Sequence, residues 1–515
     1  MIDKRKFRSG IILRMIGVLA VFVLVMTVIE RGFCMGVPTV GEEYLKQFKE
    51  VDNLDLSQIT FNSEKAAAYA DKVVYISQPV EALSDYHKLV GEFGSTNPDA
   101  ELYIVRSYEL YNLRECTAND MTLQIILKEG QNFQRVYVVI STLPVINLNG
   151  VETDRKDDEG RAIISGEFSI CSGYDPSTES FTFNKSNAEW HIRGATAAMY
   201  GKKPLKVALK NKNGENNNLN LLGMGEDDDW ILNPLSLEDT KIREKLAIEL
   251  WNSLEKSTEH NLKMSNSEYV EVVINGEYHG LYMLQRRIDE KYLNLNKDRD
   301  ILIKGKQIWK EKDVIDTYEV VYSPIEYTKA IEILDDALNN KNGSRMNINN
   351  FIDVNLLLNY CSSGDNCGNK NMYYLLRSID EGYELYLVPW DTDMSFGIAW
   401  IEEYGYNDYN YEKSMNRSVL RQEYKNMKKI YPELDIMMAQ RWKELRDEVY
   451  TTENISGIIW ENNDKINQSA SFTRDINTWW TNYDGEDTVD NLYIYCVERL
   501  RWMDNYYDEI IAKAS

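Results

Sequence analysis

Hydrophobic and polar positions change their period several times along the chain, and the changes divide it. From Met15 to Ile29 the residues are uncharged and mostly apolar, with Lys4, Arg5, Lys6, Arg8 and Arg14 before them and Glu30 and Arg31 behind. That order is the charged-then-apolar layout of a signal sequence, so residues 1–36 are expected to be a signal peptide or signal anchor. The positive flank predicts a main body outside the cytoplasm, held at the membrane if the segment stays uncleaved. Residues 37–60 are polar without a sustained period and predict a tether. Short β-branched and aromatic runs at 72–76, 102–113 and 121–127, separated by Gly, Asn, Pro and Asp, predict a small β-rich region over 61–130. A longer strand-rich stretch opens at Arg135.

Beyond Arg135 the pattern mixes strands and helices. Ser236 and Asp239 form a helix start, and Ile242, Leu246, Leu250 and Leu254 recur every four residues, which predicts a helix with one apolar stripe. Tyr269 to Ile274, Asn275-Gly276 and Glu277 to Leu284 predict a β-hairpin, because Asn-Gly readily takes the two positive φ angles of a type I′ turn. Tyr327, Ile331, Leu334 and Leu338 predict a second helix, and 351–360 a third that stops at Ser362, Ser363 and Gly364. Strands at 372–377 and 383–388 flank the turn signal Asp380-Glu381-Gly382. Helices are expected at 419–429, 434–449 and 489–511. Strands first and helices afterwards make an α+β body.

Composition narrows the class. Of 515 residues 43% are hydrophobic and 27% charged, with only 28 Gly and 10 Pro, which excludes a disordered, collagenous or polytopic membrane protein. The net charge of −24 repels nucleic acid, so no nucleic-acid partner is expected. Six cysteines without a CxxC pair indicate neither a disulfide scaffold nor a zinc site. The 34 Tyr and 11 Trp suit a sugar-binding cleft as well as a core.

The four histidines are scattered, and no nucleophile elbow, P-loop or HExxH occurs, so Ser-His and Cys-His mechanisms find no support. The acidic residues are more informative. Asp365 follows a helix end, Asn369 and Asn371 come four and six residues later, and Asp391 and Asp393 follow a strand in PWDTDMSFG. Hard oxygen donors on neighbouring loops suit Mg²⁺. Phosphoryl transfer needs such a set: one carboxylate to orient a hydroxyl, and an Asn and an Asp to hold metal against phosphates. Arg193, Lys202, Lys203 and Lys206 supply nearby positive charge. Asp227, Asp228 and Asp229 read as a structural turn.

Four blocks in order carry a family resemblance: Ile192-Arg193-Gly194 with Lys202-Lys203 beyond; 227–250, DDDWILNPLSLEDTKIREKLAIEL; 274–293, INGEYHGLYMLQRRIDEKYL, with ILIKG after it; and Asp365, Asn371 and PWDTDMSFG. From about Ile140 onward the chain resembles the CotH kinase family, the spore coat protein H type. The resemblance implies residues 135–515 as one two-lobed domain similar to atypical protein kinases. It implies transfer of the ATP γ-phosphate to Ser or Thr of a protein, with Mg²⁺ or Mn²⁺, at a cell surface or spore coat. By position, Asp365 would be the catalytic Asp, Asp391 and Asn371 the metal ligands with Asp393 assisting, and Arg193 with Lys202 or Lys203 the phosphate contacts.

Two positions depart from the family. Arg286 stands six residues after Gly280, where Glu is usual, and the usual RGNSS reads Arg193-Gly194-Ala195-Thr196-Ala197. The alternative is therefore a surface protein on the same fold that has lost catalysis and binds a polysaccharide or a protein partner. Glycoside hydrolysis by paired carboxylates is a third reading.

Overall fold

The computed structural model describes residues 33–62, 64–65, 72–175, 180–194, 197–254, 258, 262–306, 317–363, 365–366, 370–398, 420–479 and 487–514. The expected signal segment before residue 33 lies outside the described residues, as do Ala195, Thr196, Cys367 and Asn369. No helix among the described residues is long and apolar enough to cross a membrane.

The stretch at 37–60 is not a tether. Val37–Val40 lies parallel to Ala100–Val105, Lys49–Glu50 lies parallel to Asn132–Ser141, and Ile59–Phe61 joins a separate three-stranded sheet. Val37, Val40, Leu45, Leu56, Ile59 and Phe61 are all buried. They sit in strands and turns of only two to four residues, too short for a period to show in the sequence. Strand Asn132–Ser141 belongs to this first sheet too, pairing with Leu123–Glu129 on one side and Val73–Ser77 on the other, so the sheet continues past Gly130.

A closed barrel follows. Its strands are β1 (Val145–Lys156), β2 (Ala162–Asp175), β3 (Ser180–Ile192), β4 (Leu205–Lys210), β5 (Asp229–Asn233), β6 (Ser267–Ile274) and β7 (Glu277–Arg286). They run in the order β1-β2-β3-β4-β5-β7-β6, and β1 closes on β6 in parallel. Alternate side chains point inward, so Ile146, Leu148, Phe168, Trp190, Val207, Trp230, Leu232, Val272, Tyr282 and Leu284 fill the interior. The β6–β7 hairpin turns at Asn275 and Gly276, with φ of 51° and 83°, as its sequence predicts.

Helix α1 (Arg243–Ser253) leaves the barrel between β5 and β6. A five-stranded sheet comes next, from β8 (Ile301–Gly305), β9 (Tyr318–Tyr322), β10 (Arg345–Met346), β11 (Met372–Ser378) and β12 (Tyr383–Pro389), ordered β9-β8-β11-β12-β10. Helices α2 (Tyr327–Leu338) and α3 (Ile348–Cys361) interrupt it. Then come α4 (Arg421–Ile430), α5 (Leu434–Glu448), α6 (Thr452–Asn467), α7 (Ser471–Trp479) and α8 (Val489–Ala514). The architecture is mixed α+β. One core joins α1, the five-stranded sheet and the C-terminal helices through Leu246, Trp251, Leu357, Tyr360, Tyr374, Leu387, Trp442, Ile459 and Leu500.

Arg474 of α7 fastens three parts together. Its guanidinium lies 2.7 Å from Glu271 of β6 and 2.6 Å from Asp120 beside the first sheet. Tyr75 of the first sheet stacks on Tyr278 of the barrel, with ring centroids 5.3 Å apart.

Candidate functional site

Asp365, Asn371 and Asp391 meet at one end of the five-stranded sheet because of strand register. β11 and β12 are antiparallel neighbours with Met372 opposite Pro389, so the residue before one strand and the second residue after the other come together. Asn371 and Asp391 both take left-handed backbone, at φ 54° and 57°. Asn and Asp tolerate that region better than other L residues, yet it still costs on the order of 1 kcal/mol each and persists only where the surroundings enforce it.

Asn366 is what enforces it. Its buried side-chain amide donates to the carbonyl of Asn371 at 2.9 Å and to that of Trp390 at 2.7 Å. The Ser363 hydroxyl donates to its Oδ1 at 2.5 Å, and Trp390 N donates to Asn371 O at 3.1 Å. The α3 terminus, the start of β11 and the end of β12 are thereby stapled into one unit. Asn371 Nδ2 then donates to Asp365 Oδ2 at 3.1 Å, and Lys370 Nζ reaches both Asp365 oxygens at 2.6 Å. Beyond Asp391 the loop is held by Phe396 N donating to Cys361 O at 2.6 Å. Arg243 of α1 also donates to Phe396 O while its guanidinium pairs with both Asp487 oxygens at 2.7 Å.

The carboxylates at this sheet end act on one another. Burial, and then the charge of Asp365, raise the Asp391 carboxyl, against the opposing pull of Arg193, Lys304 and Lys370. Asp393 is raised well above the usual carboxylate range by burial and by Asp391, Glu244 and Asp365. Both side chains keep part of their surface in solvent. Glu244 of α1 is 2% exposed and is pushed up to about 8, by burial first and Asp391 next. It accepts from Gln285 Nε2 at 3.0 Å and from Asn233 Nδ2 at 2.6 Å. Asp391, Asp393 and Glu244 are thus held up by burial and by neighbouring negative charge despite the cations already present, and a further cation at this sheet end would favour their ionised forms. The all-oxygen donor set of Asp391, Asp393 and Asn371 fits a hard divalent ion. As placed, no group of three or more acidic, His or Cys side chains among the described residues is close enough to ligate a metal by itself.

The cations of the sequence reading separate. Arg193 comes to the acidic group: its guanidinium lies 5.9 Å from the Trp390 ring centroid and its charge opposes the raised values of Asp391 and Glu244. Lys202 does not. It is fully buried, with Nζ 2.5 Å from Asp475 Oδ1 of α7, a second bond to the Leu281 carbonyl and the Tyr282 ring 4.6 Å away. Burial lowers its ammonium to about 8. Gly280 makes this approach feasible, since a Cβ there would fall 2.2 Å from Asp475 Oδ1. Lys203 donates to Ala198 O at 2.9 Å, and Lys206 pairs with Asp229 at 3.1 Å.

The acidic run at 227–229 is structural, as its sequence reading has it. Asp227 lies 2.6 Å from Arg286, Asp228 pairs with Lys291, and Asp229 lies 3.0 Å from Arg287. The positive charge that Arg286 brings to the usual Glu position is thus matched by Asp227.

Sequence reasoning missed Glu244, Asn366, Lys304 and Lys370. Glu244 stands two residues from both Ile242 and Leu246, about 200° around the helix from the apolar stripe, where a charged residue reads as solvated. Here α1 is buried on nearly every face, so the far side of the stripe is interior too. Asn366 carries no periodic signal at all.

A family model described as CotH kinase protein matches residues 190–503. No curated protein matches the chain. The matched stretch contains Arg193, Glu244, Asp365, Asn371, Asp391 and Asp393 and covers more than half of the 515 residues, so the chain belongs to the CotH kinase protein family.

Proposed function

We propose that the chain transfers the γ-phosphate of ATP to a Ser or Thr hydroxyl of a protein. The observation that carries this reading is the convergence of Asp365, Asn371 and Asp391 at one sheet end, with Arg193 facing them. Asp365 orients the acceptor hydroxyl and takes its proton as the oxygen bonds to the γ-phosphorus and the bond to ADP breaks. Asp391 and Asn371, assisted by Asp393, would hold Mg²⁺ or Mn²⁺, which supplies positive charge against the phosphates. Arg193 adds charge from the barrel side. The site residues are preset by the Asn366 staple, so positioning is largely complete before substrate arrives.

The reading takes the barrel with α1 as one lobe and the five-stranded sheet with the C-terminal helices as the other, as in atypical protein kinases. It takes the apolar N-terminal stretch as an export signal or membrane anchor that delivers the body to a cell surface or spore coat. A second reading, a surface protein of this fold that binds polysaccharide or a protein partner without turning over ATP, is favoured by the burial of Lys202 against Asp475.

The test is transfer of label from γ-labelled ATP by the full chain with Mg²⁺ or Mn²⁺. Label on a Ser or Thr of the chain or of a generic acceptor, lost in both Asp365→Asn and Asp391→Asn, is the expected result. A parent protein that labels nothing and gains no thermal stability from Mg²⁺-ATP would sink the kinase reading and leave surface binding.

A further inference from the structure

Phosphoryl transfer is helped by cationic side chains on the phosphates, and the two family-position lysines are engaged elsewhere. Lys202 is enclosed by Asp475 and the Leu281 carbonyl, and Lys203 is turned to the Ala198 carbonyl. Lys304, in the ILIKG strand β8, is placed differently. β8 pairs with β11 so that Lys304 stands opposite Tyr373, and β11 pairs with β12 so that Tyr373 stands opposite Val388. Directly opposed residues of antiparallel strands share a face, and Trp390, two residues beyond Val388, continues that face.

This face looks toward the barrel. Tyr373, Val388 and Trp390 pack in one cluster with Ile231 of β5 and Ile288 just past β7. Two cations lie over its two rings: the Lys304 ammonium 5.7 Å from the Tyr373 centroid, and the Arg193 guanidinium 5.9 Å from that of Trp390. Asp391 is the next residue after Trp390, and the charges of both cations act on it. Among the described residues the Lys304 ammonium makes no ion pair and no hydrogen bond. A half-buried ammonium over a ring, with no ion pair of its own among the described residues, is open to an arriving anion.

We infer that Lys304 of the five-stranded sheet and Arg193 of the barrel together clamp the phosphates of the nucleotide above the Tyr373–Trp390 face, and that Lys202 and Lys203 make no phosphate contact. The inference rests on the phosphotransfer reading. It adds a residue to that reading and assigns the phosphate clamp to both sides of the cleft.

The test separates the clamp from the chemistry by using tripolyphosphate as well as Mg²⁺-ATP. Binding of each to the full chain is measured by calorimetry at two salt concentrations for the parent, Lys304→Ala and Lys304→Arg. Lys304→Ala is expected to weaken tripolyphosphate binding about tenfold and flatten its salt dependence, the size of one charge-assisted contact. Lys304→Arg should recover most of the affinity, which a merely structural role for the lysine would not produce. Unchanged tripolyphosphate binding in Lys304→Ala overturns the inference and leaves phosphotransfer standing. Weakened binding in Lys304→Ala with a parent that transfers no phosphate upholds the clamp and overturns the kinase reading. A parent that binds neither probe overturns both.

Discussion

Lys202 and Asp475, 273 residues apart in sequence, form a buried ion pair with Nζ 2.5 Å from Oδ1. The same Asp475 oxygen accepts from Leu281 N at 2.9 Å, and the other lies 4.0 Å from Lys241 Nζ. One carboxylate from α7 therefore serves two buried lysines and the edge of β7. Both lysines are lowered, by burial above all, so neither is comfortable as a cation without Asp475. Asp475→Ala leaves the buried Lys202 ammonium without its carboxylate and removes one of the several negative charges around Lys241, and should cost about 3–5 kcal/mol, the usual penalty for breaking a buried pair from one side. Urea unfolding of the variant against the parent reads it, and a loss under 1 kcal/mol would mean that water already reaches the pair.

Glu244 makes stability depend on pH in a particular direction. Its folded value is raised to about 8 while the unfolded chain titrates near 4.5, so between those values the folded state holds a proton that the unfolded state has released. Stability from this group is full below about 4.5 and falls as pH rises toward 8. Glu244→Gln removes the titration and should flatten the decline of melting temperature over that window, leaving the variant more stable than the parent at pH 8. An equally steep decline in both proteins would place the responsible proton elsewhere.

Asn366 sets the shape of the site without offering a group to the substrate. Asn366→Ala takes the side-chain donor from the Trp390 carbonyl, leaves the Asn371 carbonyl with only the Trp390 N bond, and removes the acceptor of the Ser363 hydroxyl, all in a buried place. The expected loss is about 2–4 kcal/mol, from the buried hydrogen bonds that the Asn366 side chain makes. The left-handed backbone of Asn371 and Asp391 also loses its support, so phosphate transfer should fall even at temperatures where the variant is fully folded. Circular dichroism alongside label transfer separates the two effects, and a folded variant of parental activity would remove Asn366 from the positioning of the site.

The parts of this protein that were legible in the sequence are those encoded over a few neighbouring residues. The Asn275-Gly276 hairpin carries its own turn chemistry, and the strands at 372–378 and 383–389 carry their own alternation and turn. Because Asn371 and Asp391 sit at the ends of those strands, their meeting could be read from local pattern and pairing. What was not legible depends on distant partners. Nothing near Lys202 announces Asp475, so a lysine pair reads as a charged face or a phosphate contact. Glu244 reads as solvated because a one-stripe helix is assumed to have a wet side, and the groups that surround it, Asn233, Gln285, Arg193 and Asp391, come from separate strands and a loop that its own stretch does not announce. At 37–60 the burial of single apolar residues between polar ones leaves no period to find.

Arg286 shows how a departure from a family pattern can be absorbed. The guanidinium donates through Nε and Nη2 to Asp227 Oδ2 at 3.1 and 2.6 Å, and through Nη1 and Nη2 to the carbonyls of Met224 and Glu226. Its plane lies 5.1 Å from the Tyr292 centroid, and Gly225 leaves the room it needs, since a Cβ there would fall 2.7 Å from Nη1. Restoring the family's Glu by Arg286→Glu would set a second carboxylate against buried Asp227 and strip two carbonyls of their donor. The expected outcome is a less stable protein, by about 3–5 kcal/mol, with no gain in phosphate transfer. The double variant Arg286→Glu with Asp227→Arg re-forms the pair with its charges exchanged and should recover part of that loss in urea unfolding. If Arg286→Glu alone folded normally and transferred phosphate faster than the parent, the Arg286–Asp227 pair would be a lesion in the site. Its failure to do so would mark the pair as a strut that joins β7 to the turn before β5, leaving the carboxylate beside Asp391 to come from Glu244 of α1.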